Sequence, residues 1–272
     1  MATEVITNML YNNTVKVDFL PNSHRYKING QSMKFSMSKV SGIIDKPFLL
    51  NWACGCMADE LINKLPNGIT KEDILTAKGA SNRIKDQAAG IGTHVDDFCE
   101  AFSLFSMGKA DKPTIPQFPD LTQEENNAIV NGCNGFLEWA NEHNVKFLEA
   151  ERFVYSKKFH IVGQLDTICL IDGKKYLGDY KTSKAFYEME NGMQTVGYQI
   201  AYEEETEEKI DGRMIIRFDK ETGSFHIHYL NDYTGDRQNF IAGLTLVRKK
   251  IEVEEKKAAA IKAAKEAARA AE

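Results

Sequence analysis

Asp166, Asp179 and Lys181 are the residues whose types and spacing best suit chemistry. Two β-prone runs flank the pair Asp172-Gly173, and an Asp-Gly pair in that setting is the strongest short-range signal for a two-residue hairpin turn. A turn centred there fixes the register and predicts that Asp166 faces Asp179 across the strands, with Cβ atoms about 5 Å apart, where two carboxylates repel. Strand alternation points Lys181, two residues beyond Asp179, to the same face. A divalent cation and a phosphate oxygen would fit among the three side chains.

Such an arrangement suits hydrolysis of a phosphodiester. Mg²⁺ and Mn²⁺ prefer oxygen donors and usually keep several waters, which carboxylates on a rigid hairpin permit. The ion would polarise the phosphate and lower the pKa of a water, and the Lys181 ammonium would orient that water or stabilise charge on phosphorus-bound oxygen. The carbonyl of Tyr180, between two of these residues, is a further candidate ligand. The same three side chains would also serve in a salt-bridged hairpin in which Lys181 does no more than neutralise two acids.

The setting of the triad is Ile161-Val162-Gly163-Gln164-Leu165-Asp166 followed by Leu177-Gly178-Asp179-Tyr180-Lys181-Thr182-Ser183-Lys184. Here the chain resembles the RecB-like branch of the PD-(D/E)xK nucleases, whose pattern reads G-x-x-D and then D-x-K-T-S or a close variant. Other marks of that branch stand in order: Gly90-Ile91-Gly92-Thr93-His94 upstream, Glu151 to Ser156 before the hairpin, and Gln194-Thr195-Val196-Gly197-Tyr198 after it. The stretch from His24 to Gly30, Ser36 to Val40, Asp45-Lys46-Pro47 and Trp52-Ala53 is similar to the N-terminal part of phage-encoded exonucleases of this branch.

The resemblance implies His94, Asp166 and Asp179 as metal ligands, Lys181 as the catalytic lysine, and Gln194 with Tyr198 as substrate-positioning residues. Gln194 and Tyr198 are four apart and share one helical face, though packing of Tyr198 against the sheet is an equal use of it. Glu151 would assist a second metal, a water or the substrate, or else be an exposed strand carboxylate. The expected cofactor is Mg²⁺ or Mn²⁺. Some RecB-like nucleases hold an iron–sulfur cluster through one early and three late cysteines; Cys54, Cys56, Cys99, Cys133 and Cys169 have no successor after residue 169, so no cluster is expected. Reduced thiols on partly buried faces are the expectation.

Composition is that of a globular protein, 43% hydrophobic and 27% charged over 272 residues, enough chain to bury a substantial core. No apolar run approaches the roughly 20 residues that span a bilayer, and the N-terminus lacks a basic segment followed by an apolar one. A soluble, cytoplasmic protein is expected, in the host cytoplasm if phage-encoded. The net charge of −5 does not argue against DNA, because net charge does not describe a single groove. Much of the acid lies in runs around residues 203–208 and 252–255 that read as solvated helix faces. Arg83, Lys85, Lys157, Lys158, Lys181 and Lys184 are candidates for a local phosphate track.

The elements needed to position the triad are legible as patterns. Residues 14–36 alternate around Asn29-Gly30 and predict an N-terminal β-hairpin. Pro47 opens a helix to about Leu65, and 70–85 is helical as well. Ile91, Val95, Phe98, Phe102 and Phe105 recur at helical spacing up to Gly108, with His94 on the flank. A proline-rich loop follows from Lys109 to Pro119, and Thr122 with Glu125 forms a capping box opening a helix to about His143. Strands around Val154, Leu165 and Leu177, a helix from Met189 to Glu208, a strand pair at 214–218 and 225–229, and a helix from Asp236 complete the pattern. It predicts an α/β class: a restriction-endonuclease-like core in which a central mixed β-sheet is flanked by helices. Residues 1–254 are expected as one nuclease domain, hairpin and helices over 1–88 and core over 89–254. Residues 255–272 form an Ala/Lys/Glu-rich tail that favours helix but cannot anchor itself, and either projects or frays.

The expected activity is metal-dependent DNA hydrolysis, with an exonuclease favoured by the phage-like N-terminal resemblance and a role in recombination, repair or end processing. Linear DNA with free ends is the expected substrate, with a recombination partner protein or self-association as further possibilities. The alternatives are a structure-selective or restriction-like endonuclease with the same site, and a nucleic-acid-binding module that does no chemistry.

Overall fold

A computed structural model describes residues 5–183 and 185–270. Two sheets organise it. The first is antiparallel, in the order β1 (Ile6–Leu10), β2 (Val15–Leu20), β3 (Arg25–Ile28) and β4 (Gln31–Ser32). Four strands thus stand where a hairpin is predicted. The added strand β1 is joined to β2 by Tyr11, Asn12 and Asn13, all with positive φ, a tight turn that carries no glycine to announce it.

Five helical segments then intervene: α1 (Met37–Ser41), α2 (Phe48–Lys64), α3 (Lys71–Ala77), α4 (Ala80–Ser106) and α5 (Gln123–Glu142). The capping boxes Thr70/Asp73 and Thr122/Glu125 both form. The helix predicted over 70–85 is divided at Lys78-Gly79, and its second half runs on without a break through Gly90 and Gly92.

The second sheet has the order β5 (Lys146–Ser156), β6 (Ile161–Ile171), β7 (Lys174–Lys181), β8 (Gly212–Phe218), β9 (Phe225–Tyr229). All neighbours are antiparallel except β7 and β8, which are parallel and joined by a crossover through α6 (Glu188–Thr206). The chain ends in α7 (Tyr233–Ala270). Helices cover both faces of this mixed sheet, as the α/β reading requires. On one face Met37, Leu165, Leu177, Val196, Phe240 and Leu244 pack α1, α6 and α7 against the strands. On the other, Phe98, Phe136, Trp139, Tyr180 and Phe218 bring in α4 and α5. A third cluster joins Val17, Phe19 and Tyr26 of the first sheet to Phe153, Tyr155 and Val162 of the second, so the N-terminal sheet shares a core with β5 and β6.

Among the described residues no helix is long and apolar enough to cross a membrane. The five cysteines are free thiols, with Cys99, Cys133 and Cys169 buried.

Candidate active site

The hairpin turn at Asp172-Gly173 sets the predicted register: pairing runs from Ile171 opposite Lys174 to Thr167 opposite Gly178. It stops there, one step short of Asp166 and Asp179. The β5–β6 ladder likewise passes from Ala150 opposite Thr167 to Arg152 opposite Leu165, skipping Glu151 and Asp166. Glu151 has φ +45°, a left-handed conformation rare within a strand and costing about 1–3 kcal/mol for a non-glycine residue. Instead of completing a ladder pair, Asp166 accepts a 2.6 Å hydrogen bond at Oδ2 from the backbone N–H of Tyr180.

Asp179 is 1% exposed; the Lys181 ammonium lies against its Oδ2, and Oδ1 has no partner among the described residues. Among the described residues the compensating contact of Asp179 is the ion pair with Lys181, which puts the two residues on one face. Between them Tyr180 points the other way, its ring packed on Phe136, Trp139 and Phe218. A buried carboxylate with an oxygen left unpaired is costly unless something positive completes it.

Asp166 opens onto a cavity of about 660 Å³ whose lining includes neither Asp179 nor Lys181. Asp166 and Glu151 line it from the sheet, Gln194 and Tyr198 from α6, and Thr93, Asp96, Asp97 and Glu100 from α4. His24 and Tyr26 of the N-terminal sheet and Ser38 of α1 close it. Gln194 Nε2 donates to the Tyr198 hydroxyl at 2.9 Å, as their shared helical face predicts, leaving the phenol hydrogen to be donated onward. Tyr198 also packs on the sheet. A Cβ on Gly163 would lie 2.6 Å from its Cε1 and 2.7 Å from Met37 Cγ, so the absent side chain in Gly163-Gln164-Leu165-Asp166 is what lets α6 and α1 come down onto β6. Gly92 does the same for α4, passing where a Cβ would be 2.9 Å from Thr182 Oγ1.

The His94 ring stacks on Phe118 at 3.9 Å between centroids, and His94, like Asp179 and Lys181, is not among the residues lining the cavity. Residues 93, 96, 97 and 100 form one helical stripe and residue 94 falls outside it. The acids of that stripe escaped the sequence reading; their spacing at three and four was visible, but a solvated face has the same spacing. Of the suggested phosphate track, Arg83 is tied to Glu60 and Lys157 lies over the Tyr11 ring; neither they nor Lys85 and Lys158 line the cavity. Lys184 lies outside the described residues.

Burial and mutual repulsion shape the charge state. Burial pushes the Asp166 carboxyl well up, and Asp179 adds to this against the opposing pull of Lys181 and the Tyr180 N–H. Glu151 rises for the same reasons, burial first and then Asp166. Asp96 is exposed on the cavity wall, yet desolvation of its carboxyl by the surrounding protein pushes it up to about 7, with Lys181 opposing and Asp179 and Asp97 reinforcing; solvent screening discounts that shift. Burial alone would lower the Lys181 ammonium; Asp179 and Asp166 outweigh it and hold the group firmly protonated.

No family model matches this chain, and no curated protein matches it either. The chemistry therefore rests on the residues themselves. Among the described residues no three of His, Cys, Asp and Glu form a ready-made metal cage. What the site offers is a sparser donor set: Asp179 Oδ1, left over beside the Lys181 ion pair, Asp166 held by one hydrogen bond, and further acids across the cavity. That set fits a hard cation of the Mg²⁺ type, which is commonly bound through one or two carboxylates and retains water.

Proposed function

We propose that the chain is a RecB-like PD-(D/E)xK nuclease, a Mg²⁺- or Mn²⁺-dependent enzyme that hydrolyses phosphodiester bonds of DNA and acts from free ends. The observation that carries this reading is the buried Asp179 carboxylate, one oxygen paired with Lys181 and the other without a partner among the described residues, next to Asp166 on the wall of an acidic cavity. A fold needing only stability would not gather these acids where burial and repulsion disfavour their charge. A site that takes up a cation has reason to.

Asp166 and Asp179 would hold the ion, with the Tyr180 carbonyl as a further oxygen. When bound, it would polarise the phosphate and supply a water of lowered pKa. Lys181 stays a cation near neutral pH, so its part is to stabilise negative charge on the phosphate oxygens rather than to accept a proton. Tyr198, held by Gln194, donates towards the cavity and positions the substrate. His94 is not needed in this account.

The exonuclease preference rests on the resemblance of the N-terminal segments, with end processing in recombination or repair as the corresponding role. The test is a time course on end-labelled single- and double-stranded DNA with Mg²⁺, Mn²⁺ or chelator, beside a covalently closed circle and Asp179→Ala protein. Metal-dependent loss of linear DNA with intact circles is expected. Cut circles make it an endonuclease. DNA bound but uncut makes it a binding module, and an Asp179→Ala protein as active as wild type refutes the site.

A further inference from the structure

The acidic cavity has a neighbour at the N-terminal sheet. His24 and Tyr26, which line it on one side, also line a second groove of about 600 Å³ between β3, the 32–36 segment, α1 and α7. The two spaces differ in sign. Among the described residues no lysine or arginine lines the cavity, whereas Arg25, Lys34 and Lys39 line the groove. Arg25 is exposed and has no carboxylate partner among the described residues. Lys39 Nζ donates only to the Lys34 carbonyl at 3.3 Å and so keeps its charge available. Lys34 pairs with Glu255 at 2.6 Å, and Glu254 lines the groove beside it.

An acidic cavity and a cationic groove that share His24 and Tyr26 as a common wall match the charge layout of a nucleic-acid strand that passes from one to the other. The scissile phosphate sits with the ion, and the neighbouring phosphates need positive charge of their own. We propose that the groove holds the sugar–phosphate backbone of the strand being cut, with Arg25 and Lys39 on its phosphates and Lys34 exchanging Glu255 for a phosphate. This rests on the nuclease reading above and adds a substrate track to it. Glu254 and Glu255 then compete with the strand, so α7 sets a threshold on binding.

The test is fluorescence anisotropy with a fluorescein-labelled 20-nucleotide single strand and the corresponding duplex, in chelator so that nothing is cut, over a range of salt. Arg25→Glu/Lys39→Glu protein is expected to bind about tenfold or more weakly, with a salt dependence shallower by about one counterion or more. Glu254→Gln/Glu255→Gln protein is expected to bind about threefold more tightly, since two competing charges are gone. The second variant carries the test if the first does not fold, as judged by its thermal melt. Unchanged affinity and salt slope in the variants overturn the groove. Wild type is assayed in parallel with Mn²⁺ on bis-p-nitrophenyl phosphate and end-labelled DNA. If it binds DNA through the groove but hydrolyses neither substrate, the nuclease reading falls and the groove stands; if it binds no DNA, both fall.

Discussion

The backbone N–H of Tyr180 donates to Asp166 Oδ2 over 2.6 Å, and this bond stands where a ladder pair between Asp166 and Asp179 would otherwise continue the hairpin. The carboxylate is oriented by a group that cannot move without the strand. Asp166 still lines the cavity, so it is fixed in place rather than consumed.

Asp166→Asn is therefore expected to fold, because the amide oxygen accepts the same bond, while losing the charge that the proposed chemistry needs. Its cleavage rate on end-labelled DNA should fall about 10²-fold or more, the usual scale for removing one charge-stabilising group. Asp179→Asn should behave alike. A variant with normal melting and undiminished cleavage would remove that residue from the mechanism.

Glycines at the site make a paired prediction. Gly163→Ala forces a methyl group against Tyr198 and Met37, and overpacking of this kind costs about 1–3 kcal/mol. Cleavage should drop with it, because Tyr198 and Gln194 move together. Gly90→Ala, in a helix and with nothing within 4 Å of the added carbon, should be neutral or stabilise by about 0.5–1 kcal/mol. Denaturant unfolding of the two variants reads both signs.

What the sequence carried was local. The Asp172-Gly173 turn fixes register, alternation brings Asp179 and Lys181 together, and four-residue spacing joins Gln194 to Tyr198, all without reference to anything distant. The layered α/β architecture follows from the same periodicities. What was hidden depends on tertiary partners. That Asp96 and Glu100 line a cavity while His94 meets Phe118 is decided by how α4 docks, and helical spacing alone gives no phase. The interruption of both ladders at Asp166 was equally hidden, since a ladder's end leaves no mark in residue type.

Arg213 should be the costliest single truncation away from the site. It is buried in β8, donates to the Gly192 carbonyl of α6 at 3.1 Å and to the Leu230 carbonyl at 3.3 Å, and pairs with Asp236 of α7 at 2.8 Å. Removing it leaves the Asp236 carboxylate without its cation and takes a donor from the Leu230 and Gly192 carbonyls, of which Gly192 keeps the Thr195 hydroxyl, so Arg213→Ala is expected to lose about 3–5 kcal/mol by denaturant unfolding. Asp236→Asn keeps an acceptor and should lose clearly less. Equal losses would show that the guanidinium does not tie the three elements together.

The metal-free protein should lose stability as pH rises from about 5 to 7, the reverse of ordinary acid denaturation. An unfolded aspartate titrates at about 4, whereas folded Asp96, exposed but desolvated at its carboxyl and set among acids, is pushed up to about 7, a shift that solvent screening makes secondary to those of the less exposed Asp166 and Glu151. Between those values the folded state holds a proton that the unfolded state has released. The stability this contributes is complete below the unfolded value and is lost as pH climbs through the folded one. Asp166 and Glu151 shift upward for the same causes and add to the slope. His228, lowered by burial, works the other way as a single group against these three. Carboxylates held low by partners, such as Asp18 and Glu208, lose their contribution only as pH falls below about 4.5, outside this window. Thermal midpoints in chelator at half-unit pH steps should therefore decline across the range, and Asp96→Asn should flatten the decline. Mn²⁺ should raise the midpoint most at the high-pH end, where the carboxylates it would bind are charged and otherwise repel one another. A midpoint that climbs with pH in chelator, or a Mn²⁺ effect that is the same at pH 5 and pH 7.5, would mean that the acids around Asp166 do not act as a cation site.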